Sequence, residues 1–347
     1  IFSLVALLVP KKIYHNAATW STSTWKTASV SGALCGGFFI GWIGVDNTLS
    51  IIFVLVVLSF ITLFQIKKKP ILNTKIGEPI SESLKGKLNI FEINSSNFKV
   101  DFGKSNIQSG DIAFRSLSTA SKHIIENKID CLVTAPIDKN TIQSKSFEFN
   151  GHTEYLTKIS NKNNSLMLMV HQNLKVGVVT NHLSIDKVAE AISIDLILTK
   201  ISILENSLKN DFNIKNPKIA LLGLNPHAGD GGIIGIEEIT IIKPAIKIAN
   251  EKKHNVFGPF PADGFFASEK HKEFDAVLGM YHDQGLIPFK MLSRNQGVNF
   301  TAGLPIIRTS PDHGTASDIA GKNKASFNSF KNALYLAKDI YNNRNRQ

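Results

Sequence analysis

The sequence predicts an α/β fold, in which strands and helices alternate along the chain. From about residue 86 onward, short apolar runs rich in β-branched residues alternate with amphipathic stretches. Gly, Pro, His or Asn follows these runs closely, as is typical where a strand gives way to a loop. Alternation of this kind favours a largely parallel sheet covered by helices. The 347 residues, 43% hydrophobic and 19% charged, suffice for about two domains and exclude a disordered chain.

The individual elements follow from the spacing of the apolar residues. Five strands are predicted, over residues 130–134, 166–170, 176–180, 219–224 and 276–280. Helical periodicity predicts helices over 184–204 and 236–252, and Glu237 and Glu238 suit the first turn of the latter. A closing helix is predicted over 330–341, where apolar residues recur at i, i+3, i+4 and i+7.

The N-terminal region is more apolar than the rest and predicts a membrane segment. Residues 49–64 carry no charge, and with their neighbours they approach the roughly 20 residues that cross a bilayer. A shorter Gly-rich stretch at 31–45 predicts either the first arm of a membrane hairpin or a re-entrant piece, so membrane contact is expected through residues 31–66. The lysines at 67–69 would then keep the following chain in the cytoplasm. The alternative for residues 49–64 is a buried core helix.

These patterns divide the chain into three parts. A transmembrane region is predicted within 1–70, a linker over 71–85 and the α/β part over 86–347. The net charge of +11 comes without a basic block interleaved with aromatic residues, so no nucleic acid partner is expected. The two cysteines lie far apart in sequence, which favours a reducing, cytoplasmic compartment for the α/β part.

Polar side chains concentrate in four loops, three of which follow predicted strands. Ligands of parallel α/β sheets bind where loops leave the carboxyl ends of the strands. The first loop holds His152 and Thr153 after the flexible Gly151. The other three hold, in order, His182, then His227 among five glycines, then His282 with Asp283 and Lys290. The glycine-rich loop precedes a predicted helix, which favours close approach of its backbone to an anionic ligand.

Three histidines at the carboxyl ends of different predicted strands form a candidate metal site. They are His182, His227 and His282. Imidazole suits zinc, cobalt and similar ions, so the three side chains could converge on one divalent metal. Their separations match no short metal-binding motif, and the alternative for each is a hydrogen-bonded surface histidine.

Residues 298–321 indicate an anion site and a nucleotide site. Asn299 and Arg308 are polar residues in apolar surroundings, and arginine is the natural bidentate partner of phosphate or carboxylate. Small residues around His313 leave room for a flat ring and a ribose. No GxGxxG sequence follows a predicted strand, so a dinucleotide would bind in a non-Rossmann manner.

Several long strings of residues occur in an order that resembles one enzyme family. They are LVTAPIDK, GHTEYL, GLNPHAGDGG, GPFPADGFF, MYHDQGLIPFK and GLPIIRTSPDHGTASDIAG. Over about residues 86–343 the chain resembles 4-hydroxythreonine-4-phosphate dehydrogenase of vitamin B6 biosynthesis. The last string also resembles the adenosine loop of isocitrate and isopropylmalate dehydrogenases, which implies the two-lobed α/β fold of that superfamily. The resemblance implies that NAD or NADP binds at His313, Gly314, Thr315 and Ala316.

The resemblance also implies a role for each matched residue. The three histidines match the family's ligands for one divalent metal, which would be zinc, magnesium or cobalt. The residues that match its substrate contacts are His152, Thr153, Lys290, Asn299 and Arg308. Lys290 is the candidate for catalysis, with Asp263 or Asp283 as a proton relay. The family is a homodimer whose site is completed by both subunits, so the three histidines need not come from one chain.

The implied reaction starts from 4-phosphooxy-L-threonine, a small phosphorylated hydroxy-amino acid. Hydride passes from its secondary alcohol to NAD, and the resulting β-keto acid loses CO2 to give 3-amino-2-oxopropyl phosphate for pyridoxal phosphate synthesis. One alternative is a dehydrogenase for threonate or erythronate 4-phosphate. Another is a membrane-anchored remnant without activity, because the family's GEPAGIGPE-like loop corresponds here only to IGEPISES at 76–83.

Overall fold

The structure, a computed structural model, describes most of the chain beyond residue 98 and shorter parts before it. The described residues are 38–54, 72–76, 88–93, 98–144 and 146–346. The chain divides into two compact units, residues 1–73 with 84–88 and residues 74–83 with 89–347. In the first unit, residues 38–43 and 45–54 are helical.

The predicted membrane segment gains no support from the described residues. Within them, no helix is both long and apolar enough to cross a bilayer. Residues 49–54 of the predicted span are helical, whereas 31–37 and 55–64 lie outside the described residues. The transmembrane helix and the membrane contact therefore stay predictions.

The described part of the chain contains ten strands. They are β1 (Leu72–Ile76), β2 (Leu88–Glu92), β3 (Leu132–Val133), β4 (Leu166–His171), β5 (Leu174–Val178), β6 (Ile219–Leu222), β7 (Val256–Phe260), β8 (Ala276–Gly279), β9 (Val298–Ala302) and β10 (Arg308–Pro311). Strands β1 and β2 pair with each other, and the other eight form one sheet in the order β3-β10-β9-β4-β5-β8-β6-β7.

The eight-stranded sheet is mixed, and parallel pairing predominates. Among its neighbouring strands, four pairs are parallel and three are antiparallel. The predicted α/β class is therefore confirmed, and each of the five predicted strands is present to within two residues at either end. The antiparallel part includes a β4–β5 hairpin, where Gln172 takes a φ of 51°. Gln-Asn is not one of the usual hairpin dipeptides, so this turn gave no clear signal in the sequence.

Eight helices accompany this sheet in the described residues. They are α1 (Ile107–Ile125), α2 (His152–Ile159), α3 (Val188–Ala191), α4 (Ile194–Asn210), α5 (Lys243–Glu251), α6 (Ala262–Ala267), α7 (His282–Ser293) and α8 (Asn328–Arg344). The predicted closing helix is α8. The predicted helix over 184–204 is interrupted before Ser193, whose side chain caps α4 by accepting from the Leu196 N–H at 3.2 Å. The predicted helix over 236–252 begins with a π turn, Glu238–Ile242, that leads into α5.

Alternate residues of the central strands belong to two different apolar clusters. Leu166 and Leu168 of β4 lie in a cluster with residues of α4, α5 and α8. Met167 and Met169 lie in a second cluster with residues of α6 and α7. Since successive side chains of a strand point to opposite faces, the two clusters cover the two faces of the sheet. A third cluster, around Phe147, packs α1 and α2. Helices α2 and α7, whose first residues are predicted site residues, are therefore anchored by buried contacts.

Candidate functional site

His182 and His282 lie side by side because their loops leave two adjacent parallel strands. Strands β5 and β8 are paired in register, with Val178 opposite Gly279. The pairing continues beyond the strands, since the Thr180 N–H and Oγ1 both donate to the carbonyl of Met280, at 3.1 and 2.8 Å. The two imidazole rings that follow have centroids 6.0 Å apart. The sheet therefore brings two of the three predicted metal ligands together in one chain.

Each of these two rings is oriented by a carboxylate at its Nδ1 atom. The distance from His182 Nδ1 to Glu154 Oε1 is 3.3 Å, and that from His282 Nδ1 to Asp283 Oδ1 is 2.7 Å. Nε2 is consequently the nitrogen that each ring has left for a metal. Ligating histidines almost always donate their second N–H to a carboxylate or carbonyl in this way. The donor set fits a divalent transition metal.

The third predicted ligand, His227, lies in the loop after β6 and is exposed. Among the described residues of one chain, no three His, Cys, Asp or Glu side chains form a metal-binding group. The first two histidines are therefore not joined by His227 of their own chain. This arrangement agrees with the expectation that the three ligands need not come from one subunit.

The loop that carries His227 has an unusual backbone. Six successive residues have positive φ angles: His227 (53°), Ala228 (51°), Gly229 (80°), Asp230 (42°), Gly231 (66°) and Gly232 (102°). Three of them are not glycine, and the left-handed conformation costs such residues roughly 1–2 kcal/mol each. Conformations of this kind persist only where the surroundings impose them, and they cluster at functional sites.

A cavity of about 210 Å³ gathers most of the predicted substrate residues. It is lined, among others, by His152, Thr153, His182, Asn299, Arg308, His313 and Gly314. These residues come from α2, from the loop after β5, from β9 and β10, and from the loop after β10. An adjoining cleft of about 630 Å³ shares His182 and is also lined by His282 and Asp283. The structure thus joins the candidate anion site to the histidine pair.

Arg308 is the buried cation of this cavity. The residue is 3% exposed, and its Nε and Nη2 both donate to Thr134 Oγ1, at 3.1 and 2.8 Å, while Nη1 donates to Thr301 Oγ1 at 3.1 Å. Burial lowers the pKa of its guanidinium to about 10, and the charge of Glu154 acts in the opposite direction. Among the described residues, no carboxylate forms an ion pair with Arg308. A buried charge needs a partner, and an anionic ligand in the cavity would supply it.

Hydrogen-bonding groups beside the guanidinium complete the lining. Burial, with the nearby charge of Arg308, lowers the pKa of His152 to about 3, so its ring is neutral at physiological pH and can donate or accept. Burial alone would raise the pKa of Glu154. The hydrogen bond from His182, a backbone hydrogen bond and the nearby charges of His182 and Lys139 together have the larger effect, so the pKa lies below its ordinary value. The Oε2 of Glu154 and the Oδ1 of Asn299 are buried, and neither has a hydrogen-bond partner in the described part of the chain. Both are acceptors that a ligand can satisfy.

The three predicted catalytic residues lie outside this cavity in the single chain. Lys290 is on α7, and its Nζ is 3.4 Å from Asp312 Oδ1, a carboxyl whose pKa burial raises. Asp263 is in the first turn of α6. Asp283 lines the adjoining cleft, where its side chain is 71% exposed and holds His282. The roles predicted for Lys290, Asp263 and Asp283 stay predictions.

The predicted nucleotide loop follows β10. His313 and Gly314 line the cavity, whereas Thr315 and Ala316 do not. Ala316 takes a φ of 52° and precedes a single 3₁₀ turn. An ideal Cβ on Gly103 would come within 2.9 Å of the Ser317 carbonyl, so the segment before α1 packs closely on this loop.

Sequence reasoning missed three residues that build the site. Thr134 and Thr301 hold the guanidinium of Arg308, and Glu154 holds His182. Glu154 could have been found from its place in the first turn of α2 beside His152, but α2 itself was missed because Gly151 offers no side-chain cap. Thr301 lies on β9 and Thr134 directly follows β3, and neither carries a sequence signal that separates it from other strand or strand-end residues.

Most of this chain matches one known protein family. Residues 54–337 match the family model described as "Pyridoxal phosphate biosynthetic protein PdxA". This chain belongs to the PdxA family. The predicted family is confirmed, and the match begins inside the apolar run at 49–64 rather than near residue 86.

Relatives and solved structures agree with this membership. The chain is 47% identical over 276 residues to 4-hydroxythreonine-4-phosphate dehydrogenase of Bacteroides thetaiotaomicron, covering 79% of this chain and 76% of the relative. It is 42% identical over 266 residues to the Sulfurihydrogenibium sp. enzyme of that name, covering 77% and 81%. The crystal structure of the Klebsiella pneumoniae enzyme superposes with a TM-score of 0.68 at 35% identity, covering 78% and 82%. The predicted fold and enzyme class are thereby confirmed.

Proposed function

We propose that this chain is an NAD-dependent, divalent-metal-dependent dehydrogenase that oxidises and decarboxylates 4-phosphooxy-L-threonine. The observation that carries this proposal is the buried guanidinium of Arg308, which pairs with no carboxylate in the described part of the chain and lines the same cavity as His182. A phosphorylated hydroxy acid presents anionic groups near an alcohol, which matches a cation beside a metal-ligand pair. The names of the relatives support this choice of substrate.

The chain's own residues would bind and orient the substrate. Three N–H groups of Arg308 are held by Thr134 and Thr301, so the plane of the fork is fixed and its remaining N–H groups can take a phosphate or carboxylate oxygen. The neutral His152 and the Thr153 hydroxyl add hydrogen bonds without further charge. Positioning of this kind lowers the barrier by aligning the alcohol with the hydride acceptor before reaction.

His182 and His282 would hold the metal through Nε2, with His227 as the third ligand. When bound, a divalent ion acts as a Lewis acid on the alcohol oxygen and on the developing enolate. Glu154 and Asp283 would fix the tautomers of the two rings, and Lys290, Asp263 or Asp283 would move protons. NAD or NADP would take its place at the loop His313–Ala316.

A homodimer would supply His227 to the pair on the other subunit. The loop around His227 carries several exposed apolar residues, among them Ile233 (84%), Ile234 (45%) and Ile236 (60%). Exposed apolar groups of this kind are typical of surfaces that are covered in an assembly. The catalytic part would lie in the cytoplasm and act on a small phosphorylated substrate, without nucleic acid.

The decisive experiment is NADH formation by the purified full-length chain with 4-phosphooxy-L-threonine and added Zn²⁺, Mg²⁺ or Co²⁺. We expect turnover that requires both a metal and the substrate, and that falls when threonate or erythronate 4-phosphate replaces it. Higher kcat/KM with either hydroxy acid would overturn the choice of substrate. No NADH with any of the three substrates would favour the remnant without activity.

A further inference from the structure

The carboxylate of Glu238 is buried behind the loop that carries His227. Glu238 begins the π turn before α5 and is 1% exposed. Its Oε1 accepts from the backbone N–H groups of Leu224 and Asn225, both at 2.7 Å, and its Oε2 accepts from Asn225 Nδ2 at 2.9 Å. One side chain therefore binds Leu224 and Asn225, which lead through Pro226 into the left-handed turn.

The same carboxylate also packs against the middle of the turn. An ideal Cβ on Gly229 would lie 2.6 Å from Glu238 Oε2, and Gly229 is buried with a φ of 80°. The loop can approach this closely only because residue 229 has no side chain. The entry of the turn and its centre are thus both fixed relative to one buried oxygen pair.

We propose that Glu238 is a positioning residue, whose carboxylate imposes the left-handed conformation of residues 227–231 and thereby presents His227 to the metal. This inference rests on the proposed role of His227 as a ligand. His227 is exposed, and it begins the left-handed turn two residues after Asn225, whose backbone N–H Glu238 binds together with that of Leu224. Without those bonds the non-glycine residues of the turn return to ordinary backbone angles, and the imidazole loses its fixed place.

The test is the affinity of the full-length chain for Zn²⁺, measured by titration calorimetry. In Glu238→Gln the side chain keeps its size, but an NH2 group replaces one oxygen, so either the backbone N–H groups of Leu224 and Asn225 or the Asn225 Nδ2 group loses its acceptor, and the negative charge that all three donors share is removed. We expect affinity to fall about 10- to 100-fold, as when other groups that orient a ligand are changed. The matched control is Glu237→Gln, because Glu237 accepts from Asn225 Nδ2 at 2.8 Å but binds no backbone N–H of the loop. The Zn²⁺ affinity of Glu237→Gln is expected to stay within about twofold of that of the parent.

A double-mutant cycle with His227→Ala separates positioning from a general structural role. If Glu238 acts through His227, Glu238→Gln lowers affinity in the parent but adds no loss when residue 227 is already alanine. An equal loss in both backgrounds would overturn the proposal. Unchanged affinity in Glu238→Gln, with the loss in His227→Ala intact, would overturn it as well. Unchanged affinity in His227→Ala would instead refute the metal role of His227, and this proposal with it.

Two further variants guard against a folding artefact. In Gly229→Ala the added Cβ crowds the Glu238 carboxylate. This variant is expected to lower Zn²⁺ affinity in the parent but to add no loss when residue 227 is already alanine. Asp211→Asn alters another buried carboxylate, which pairs with Arg344 Nε at 2.6 Å and accepts from Ser207 Oγ. It is expected to lower the unfolding temperature without changing Zn²⁺ affinity. A matching loss of Zn²⁺ affinity in Asp211→Asn would show that destabilisation alone explains the effect, and would overturn the proposal.

Discussion

The region around Arg308 and His182 differs from the His227 loop in what holds its functional side chains. In the first, the parallel strands β5 and β8 end side by side and β10 begins with Arg308, and backbone pairing and threonine hydroxyls hold these groups. In the second, six successive residues have positive φ angles, and one buried carboxylate binds the residues that precede them. A site built on a sheet distributes its support over many bonds, whereas a site on a strained turn depends on few. The two regions should therefore respond differently to substitution.

The largest effect is expected at Arg308, in the sheet-supported region. Arg308→Ala should lower kcat/KM about 30-fold or more, since a hydrogen bond to a charged group contributes roughly 1.5–3 kcal/mol. Arg308→Lys keeps the charge without the planar fork and should lower kcat/KM about tenfold. Steady-state kinetics, with circular dichroism to check folding, measures both. Parent-like kinetics in Arg308→Lys would make the residue structural.

The next effect compares two glycines of the left-handed turn. Gly229→Ala adds a Cβ 2.6 Å from the Glu238 carboxylate at a φ of 80°, so we expect a loss of about 2–5 kcal/mol in unfolding free energy. Gly231→Ala has open space around its Cβ and a φ of 66°, so only the backbone cost of about 1–2 kcal/mol remains. Urea denaturation measures the difference. Equal losses would show that the carboxylate does not confine the turn.

A smaller effect is expected at Thr134, which accepts two of the guanidinium's hydrogen bonds. Thr134→Val keeps the shape but removes the acceptor, which costs about 1 kcal/mol and should raise KM about fivefold. Because Thr301 still accepts from Nη1, the arginine stays in place and kcat should change little. A fall in kcat as large as that in Arg308→Ala would show that the remaining hydrogen bond to Thr301 does not hold the guanidinium in place.

The smallest effect concerns the backbone cost at His227. His227→Gly removes the imidazole and also the left-handed penalty, whereas His227→Ala removes only the imidazole. We expect the free energy of unfolding to be about 1 kcal/mol higher for the glycine variant than for the alanine variant. Thermal and urea denaturation of the two proteins would measure it. Equal stabilities would indicate that the turn relaxes once the histidine is gone.

The sequence by itself determined the family, the α/β class and most of the site. The long strings around His152, His227, His282 and Arg308 were sufficient for this, and the cavity brings four of the five predicted substrate residues together. The apolar strands β4, β5, β6 and β8 were also predictable, because burial on both faces leaves continuous apolar runs.

Only the tertiary structure decided the place of strand β10, the burial of Glu238 and the separation of His227 from the other two histidines. Strand β10 begins with Arg308 and consists of polar residues and a proline, all buried, so no apolar period could reveal it. Glu238 was predicted in the first turn of a helix, where periodicity gives no sign of burial, yet the loop after β6 covers it and donates three hydrogen bonds to its carboxylate. His227 was predicted as a metal ligand in the same way as His182 and His282, but it does not form a metal-binding group with them among the described residues of one chain. The physical reason is common to all three cases: a residue's burial and backbone angles here depend on contacts with distant segments, which local periodicity does not record.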